Sequence, residues 1–341
     1  WARGDTVEIR DDVVGANPLS LESDGNNQSD SANLILADAG VDIADDLNGN
    51  GIEILNIESS GTAGPNSITG TTMLVPSAGM PSGSLIITGD VSLDLGPLDT
   101  VSVVDASGLD NDDDDAALTM GAGSNIAADI DGGTGDDTLI GSPGADLIDG
   151  NDGDDLLIGD DDNDNLTGGA GDDELEGNAG ADLNVGGDGV DTFAYTAVTD
   201  GALPDNDNVD HDVISDMVLG ADGDVLSFTD AVFFGGGSTL QLDVITGAAD
   251  GSDVTEVTDG GAGAAQIVAQ TTALDDFDAL AALMTAIGGA VTDSDAIVIA
   301  EVTGEGVYVF YDTDTSTANG ERVLANLDGL TGADLADIVD A

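Results

Sequence analysis

Residues 132–194 read GGTGDDTLI, GSPGADLID, GNDGDDLLI, GDDDNDNLT, GGAGDDELE, GNAGADLNV and GGDGVDTFA, seven nonapeptides that follow one another without a gap. Gly stands at position one of all seven. Asp stands at position six of all seven, as Asp137, Asp146, Asp155, Asp164, Asp173, Asp182 and Asp191. Position eight is apolar in six, as Leu139, Ile148, Leu157, Leu166, Leu175 and Phe193. Three columns held in register over 63 residues mark a repeat architecture, in which each unit buries its apolar residue against its neighbours rather than in a large common core.

The nine-residue period divides into a turn of six residues and a strand of three. Gly at positions one and four permits φ values that other residues resist. The residue at position eight points inward, and two nonapeptides make one coil. Repeats one, three, five and seven then share one edge, and repeats two, four and six the other. The aspartate at position six faces the turn two repeats away, where Ca²⁺ fits between carboxylate and backbone carbonyl oxygens. With one ion between neighbouring turns on each edge, the seven repeats hold roughly five ions. The expected metal ligands are the seven position-six aspartates, whereas Asp149, Asp152 and Asp160 occupy variable columns and read as solvated acids.

These residues resemble the RTX (repeats-in-toxin) calcium-binding proteins, whose motif is GGxGxDxUx. The resemblance implies a right-handed parallel β-roll, Ca²⁺ as the bound ion, and export by a type I secretion system. Two positions depart from the motif: Asp162 replaces Gly at position four of the fourth repeat, and Asn184 replaces the apolar residue of the sixth.

Outside the repeats the pattern is looser. In residues 1–131 short apolar strands recur, as in NLIL (33–36), IEILNIES (52–59), SLIITGD (84–90), VSLDL (91–95) and TVSVVDASG (100–108). Gly, Asn, Asp, Pro and Ser fill the gaps between them, and helical periodicity is absent. This region is expected to be a β-solenoid or otherwise β-rich, without calcium nonapeptides. The phrases IEILNIESSGT and LDTVSVVDASGLD resemble segments of type I-secreted bacterial S-layer proteins that precede an RTX region. Residues 195–341 are expected to form a small α+β capping domain. DHDVISDMVLGADGDVLSFT (210–229) resembles the segment closing RTX rolls, D-x-I-x-D-F then G-x-D, with Met217 in place of Phe. Leu274, Phe277, Leu280, Met284 and Ile287 predict a helix over 273–287, with Thr272 and Asp275 as its N-cap pattern. AIVIAEVT (296–303) and GVYVFYD (306–312) predict a hairpin around Gly304. The resemblance makes the final VLANLDGLTGADLADIVDA a candidate type I secretion signal.

Charge narrows the function classes. The chain has 70 acidic residues against 3 Arg and no Lys, a net charge of −67. Phosphate backbones and anionic membrane surfaces repel such a surface, which excludes nucleic acid as a partner. Yet 40% of the residues are apolar, too many for a solvated acidic tail. Bound cations reconcile the two facts. There is no Cys, hence no disulfide or thiolate site, and no apolar run has the length of a transmembrane segment. The numbering opens at Trp1 without Met or a signal peptide, so the chain is expected to be a processed form or a fragment.

Weaker acidic patterns read as loops. DLNGNG (46–51) begins like an EF-hand loop, but Ile57 stands where the twelfth-position Glu belongs. DTDTS (312–316) lacks the central Gly, and LDNDDDD (109–115) reads as a solvated loop. Enzymatic signatures are missing: the one histidine, His211, is expected on the surface, there is no H-E-x-x-H and no G-x-S-x-G, and a Cys nucleophile is impossible. One Trp and three Tyr leave little to stack on a sugar for a paired-carboxylate glycosidase. The chain therefore reads as an extracellular, calcium-dependent structural protein rather than an enzyme. The expected role is a subunit of an S-layer or similar cell-surface array on a Gram-negative bacterium, self-associating through calcium bridges or to cell-surface glycans. The alternatives are a secreted RTX adhesin or binding module, and the non-catalytic C-terminal part of an RTX enzyme.

Overall fold

The computed structural model describes residues 6–9, 19–22, 31–37, 41–43, 47–50, 52–60, 65–69, 72–75, 83–109, 117–120, 129–197, 200, 211–218, 223–228, 241–245, 266–274, 296–303, 305–312 and 321–330. Every regular element among them is a β-strand. The chain divides into two compact units, Trp1–Glu176 with Gly187–Gly189, and Gly177–Gly186 with Val190–Ala341.

The first unit is a parallel β-solenoid that begins well upstream of the nonapeptides. One ladder runs through Thr6–Ile9, Ser31–Leu36, Ile54–Ser59, Gly83–Gly89, Val101–Leu109, Asp129–Asp131, Leu147–Asp152 and Asn165–Ala170. A second runs through Asp42–Ile43, Asn66–Ile68, Leu93–Leu95, Leu118–Met120, Thr138–Ile140 and Leu156–Asp161. A third, of Leu19–Glu22, Leu47–Asn50, Thr72–Val75 and Leu98–Asp99, accompanies only the upstream coils. Upstream coils therefore have three faces, and the coils built from nonapeptides have two.

Alternation sets the core. Ser31–Leu36 and Ile54–Ser59 each bury every second side chain, the period-two signature of a strand with one face inside. Register then stacks like on like: Ala32, Leu55, Leu85, Val104, Ile130, Ile148 and Leu166 form one interior column, none more than 3% exposed. The position-eight residues of the repeats thus continue a column that the upstream coils start. Corners are held by polar side chains where backbone groups turn out of the ladder. Buried Asn66 accepts the Val41 N–H through Oδ1 (2.9 Å) and donates from Nδ2 to the Ser59 hydroxyl (3.0 Å).

In the second unit, Asp212–Ile214 pairs in parallel with residues 183–184 on one side and with Glu321–Leu327 on the other. The predicted hairpin is present: Ala296–Val302 and Gly306–Asp312 are antiparallel, and Gly306–Asp312 also pairs antiparallel with Glu321–Leu327. Val307–Tyr311 are five consecutive buried residues, so this strand is covered on both faces.

Two expectations for this unit change. The predicted helix over 273–287 does not start where expected, because Thr272, Ala273 and Leu274 end a strand, Gln266–Leu274, paired in parallel with Gln241–Ile245 and Ala296–Val302. Ile267, Val268, Thr271 and Thr272 are β-branched, and pairing on both edges outweighs a local capping pattern. Residues 275–287 lie outside the described residues, as do 331–341 of the candidate secretion signal. His211 is not a surface residue. It is 7% exposed, and its ring packs edge-on against Tyr308 with centroids 5.5 Å apart. Of the EF-hand-like segment, residues 47–50 are strand. Its ends, and most of 109–115 and 312–316, lie outside the described residues.

Candidate metal centre

Each nonapeptide places its position-six aspartate inside the roll. All seven carboxylates are 1–3% exposed. Burying a carboxylate is unfavourable unless something compensates it, and the backbone supplies part of the compensation. The N–H of Asp137 donates to Asp155 Oδ1 (2.7 Å), that of Asp146 to Asp164 Oδ1 (2.8 Å), and that of Asp155 to Asp173 Oδ1 (2.8 Å). Every one of these bonds spans 18 residues, so Asp155, Asp164 and Asp173 each meet the turn two repeats away. The return bond runs between backbones, from Leu156 N to Asp137 O, Asn165 N to Asp146 O and Glu174 N to Asp155 O. The other oxygen accepts from position two of its own repeat in the first two repeats, from Gly133 N (2.6 Å) and Ser142 N (2.5 Å).

The turn glycines do two different jobs. At position one the requirement is space: a Cβ on Gly150 would collide with Asp155 Oδ2 and stand 2.6 Å from the Gly168 carbonyl oxygen. Gly132 and Gly141 meet the same pair of groups. The left-handed φ values fall at positions two and four instead, a correction to the expectation for position one. Asn151, Asp160, Gly169, Asn178 and Gly187 at position two have φ of 75°, 88°, 120°, 67° and 114°. Asn, Asp and Gly are the residues that tolerate this region. Asp162, the departure at position four, has φ of 71° and fits for the same reason. Asn184, the other departure, is 3% exposed and occupies the inward column, its Oδ1 accepting no hydrogen bond.

The chemistry of this interior calls for a hard cation. Oδ2 of Asp155 is buried and accepts no hydrogen bond. Burial is the main reason the Asp155 carboxyl is pushed up to about 7, with the neighbouring charges of Asp137, Asp173 and Asp136 adding to it against a backbone hydrogen bond that lowers it. Asp137 is pushed up to about 6, again chiefly by burial, against two backbone hydrogen bonds that lower it. Among the described residues no three acidic or imidazole side chains converge closely enough to hold a metal alone. Carboxylates spaced one per turn and bracketed by carbonyl oxygens are an all-oxygen donor set, which suits Ca²⁺ and not Zn²⁺. When bound, such an ion supplies the positive charge that the buried carboxylates lack.

Outside this interior, repeats one, three and five of the odd-numbered edge carry a second acidic row at position five, which ends at Val190 in repeat seven. Asp154 N donates to Asp136 Oδ1 (2.9 Å) and Asp172 N to Asp154 Oδ1 (2.8 Å), and all three side chains are exposed. The even-numbered edge has Ala145, Asn163 and Ala181 at this position. Of the acids read as solvated, Asp152 is exposed, while Asp149 and Asp160 are half-buried.

Fold and site together define a calcium-binding parallel β-roll. Residues 131–166 and 158–193 match the family model of the RTX calcium-binding nonapeptide repeat, which spans four copies. These repeats bind calcium, and proteins that carry them are typically secreted, as structural or toxin-type proteins. No curated protein and no solved structure gives a significant match to the chain. Among the described residues no helix is long and apolar enough to cross a membrane.

Proposed function

We propose that the protein is a non-enzymatic structural component of an extracellular surface array, an S-layer or a similar assembly, exported by type I secretion and held together by calcium. The observation that carries this reading is the exposed position-five row of Asp136, Asp154 and Asp172, spaced 18 residues apart on a repeating scaffold, in a chain of net charge −67. The nonapeptides contain 18 of the 70 acidic residues, so 52 lie elsewhere. Roughly five ions in the roll neutralise about ten charges, counting two per ion. The remaining carboxylates need cations from outside. At physiological salt the Debye length is about 8 Å, so screening weakens repulsion between distant charges but not between carboxylates in contact. Divalent ions shared between two acidic surfaces, of two copies or of one copy and an acidic cell-surface glycan, solve this locally.

The test is one calcium titration followed by circular dichroism and light scattering together. Sites inside the roll draw all their ligands from one chain and should fill first, near 10⁻⁴–10⁻³ M. Shared sites have fewer ligands per chain and should fill later. Folded monomers at intermediate calcium and ordered assemblies at higher calcium are the expected result. A chain that folds fully and stays monomeric at millimolar calcium would return the reading to an adhesin or binding module.

A further inference from the structure

The recognised repeats stop at Ala194, but the hydrogen-bond pattern that defines the aspartate column does not. In the nonapeptides two bonds identify the column: the N–H of one position-six aspartate donates to Oδ1 of the next along its edge, and the N–H after that second aspartate donates back to the first one's carbonyl. Both bonds recur in the second unit with aspartates that belong to no nonapeptide. Asp182 N donates to Asp212 Oδ1 (3.0 Å), and Val213 N donates to Asp182 O (2.7 Å). On the other edge Asp191 N donates to Asp224 Oδ1 (3.0 Å), and Val225 N donates to Asp191 O (2.7 Å).

Strand register agrees. Asn184 pairs with Ile214 and Phe193 with Leu226, so Ile214 and Leu226 stand at position eight, and Ile214 is fully buried. Val218 N donates to Asp224 Oδ2 (2.7 Å), the role that position two plays for Asp137 and Asp146. The separations are 30 and 33 residues instead of 18. Separations this long hide the coil from any nine-residue pattern. Asp212 is 1% exposed, next to buried Asp182 and Asp200. Burying carboxylates this close together is unfavourable unless something compensates them.

We infer that Asp212 and Asp224 are calcium ligands of one additional coil, which extends the even-numbered and odd-numbered edges by one station each. This rests on the reading that the position-six aspartates hold calcium, and it assigns to the segment after the repeats a share of the metal rather than a purely apolar capping role. Folding of residues 211–228 is then coupled to calcium in the same way as folding of the nonapeptides.

The experiment measures calcium per full-length chain by equilibrium dialysis for the wild type, Asp212→Asn, Asp224→Asn, Asp155→Asn and, as a control on an exposed side chain, Asp188→Asn. Asparagine keeps the Oδ1 acceptor and removes the charge. Asp212→Asn and Asp224→Asn are each expected to lose about one ion relative to the wild type, with Asp188→Asn unchanged. Wild-type stoichiometry in both, while Asp155→Asn loses calcium, overturns the additional coil and leaves the nonapeptide sites intact. A wild type that binds no calcium overturns the underlying reading instead. A second measurement needs no variant: hydrogen exchange of the wild type across a calcium titration. Residues 211–228 are expected to gain protection, on the order of tenfold or more, at the same calcium concentration as 177–194. Protection already complete in chelator, or absent at saturation, overturns the inference.

Discussion

One interior column passes through two chemistries. On the second ladder of the first unit, Leu93 pairs with Leu118, and the Thr119–Thr138 register places Leu118 beside Asp137. Asp155 and Asp173 continue the column at intervals of 18 residues. Both leucines are fully buried, and so, nearly, are the three aspartates. The backbone makes the same parallel ladder in both stretches. A buried leucine stabilises by about 1.5–3 kcal/mol through the water it leaves. A buried carboxylate at the same station opposes folding until a cation arrives. The same path is therefore self-sufficient upstream and conditional downstream, and the switch falls between Leu118 and Asp137.

Removing the metal should split the molecule along this line, and that is the largest effect expected. With excess chelator, residues 132–194 should lose hydrogen-exchange protection and most of their β signal, since binding energy here is folding energy. The coils over residues 31–109 should keep theirs. Equal loss in both stretches would mean that the upstream coils also depend on the ion.

Substitutions in the column should sort by chemistry. Leu118→Ala is expected to destabilise the upstream coils by about 2–5 kcal/mol in urea melts, with or without calcium. Asp155→Ala should raise the calcium needed for half-folding on the order of tenfold or more, about 1.4 kcal/mol per factor of ten. In chelator the same substitution should leave stability unchanged or improve it, because it removes a buried charge. A fall in metal-free stability for Asp155→Ala would show that its backbone hydrogen bonds outweigh its desolvation.

Protons should partly replace calcium. Burial pushes the carboxyls of Asp137 and Asp155 up to about 6 and about 7 when no metal is bound, against about 3.9 in an unfolded chain. A raised carboxyl pKa means that the folded state holds more protons. Its stability is then fullest below the unfolded value and is lost as pH rises through about 6 to 7. Chelated protein should accordingly regain β signal as the buffer is lowered from pH 7.5 toward pH 4, whereas the upstream coils should respond weakly. The smallest effect belongs to the exposed Asp152. Asp152→Ala should change stability by no more than about 0.5 kcal/mol, and its calcium titration should overlay the wild type.

What was legible follows from how strictly spacing is enforced. The nonapeptides declare themselves because each turn must return a carboxylate to the same station, so Gly150, Asp155 and Leu157 recur at fixed intervals. Upstream, the strands near 33–36, 52–59 and 100–108 were visible from their alternation, but the three-faced coil was not, because corners absorb insertions and the rungs begin at irregular intervals, 31, 54, 83 and 101. Asp212 and Asp224 escaped for the same reason, standing 30 and 33 residues from their partners instead of 18. Thr272 and Ala273 misled because a capping pattern is local, whereas the strand they end is fixed by neighbours at Gln241–Ile245 and Ala296–Val302. His211 gave no sign of burial, since its partner Tyr308 lies far along the chain.

The hydrogen bond from Leu118 N to Asp137 Oδ1 gives the roll a direction. Asp155, Asp164 and Asp173 are each aimed by the coil before them, and Asp137 is aimed by a coil with no aspartate of its own at that station. If the upstream coils fold without metal, that last coil acts as a seed crystal, and calcium concentration plays the part of supersaturation. Growth on a seed avoids the unfavourable first layer that a free roll must nucleate unaided. A transplanted roll, cut from its upstream coils, should therefore show a lag before folding, and the intact chain should grow coil by coil from Asp137 as soon as calcium is raised.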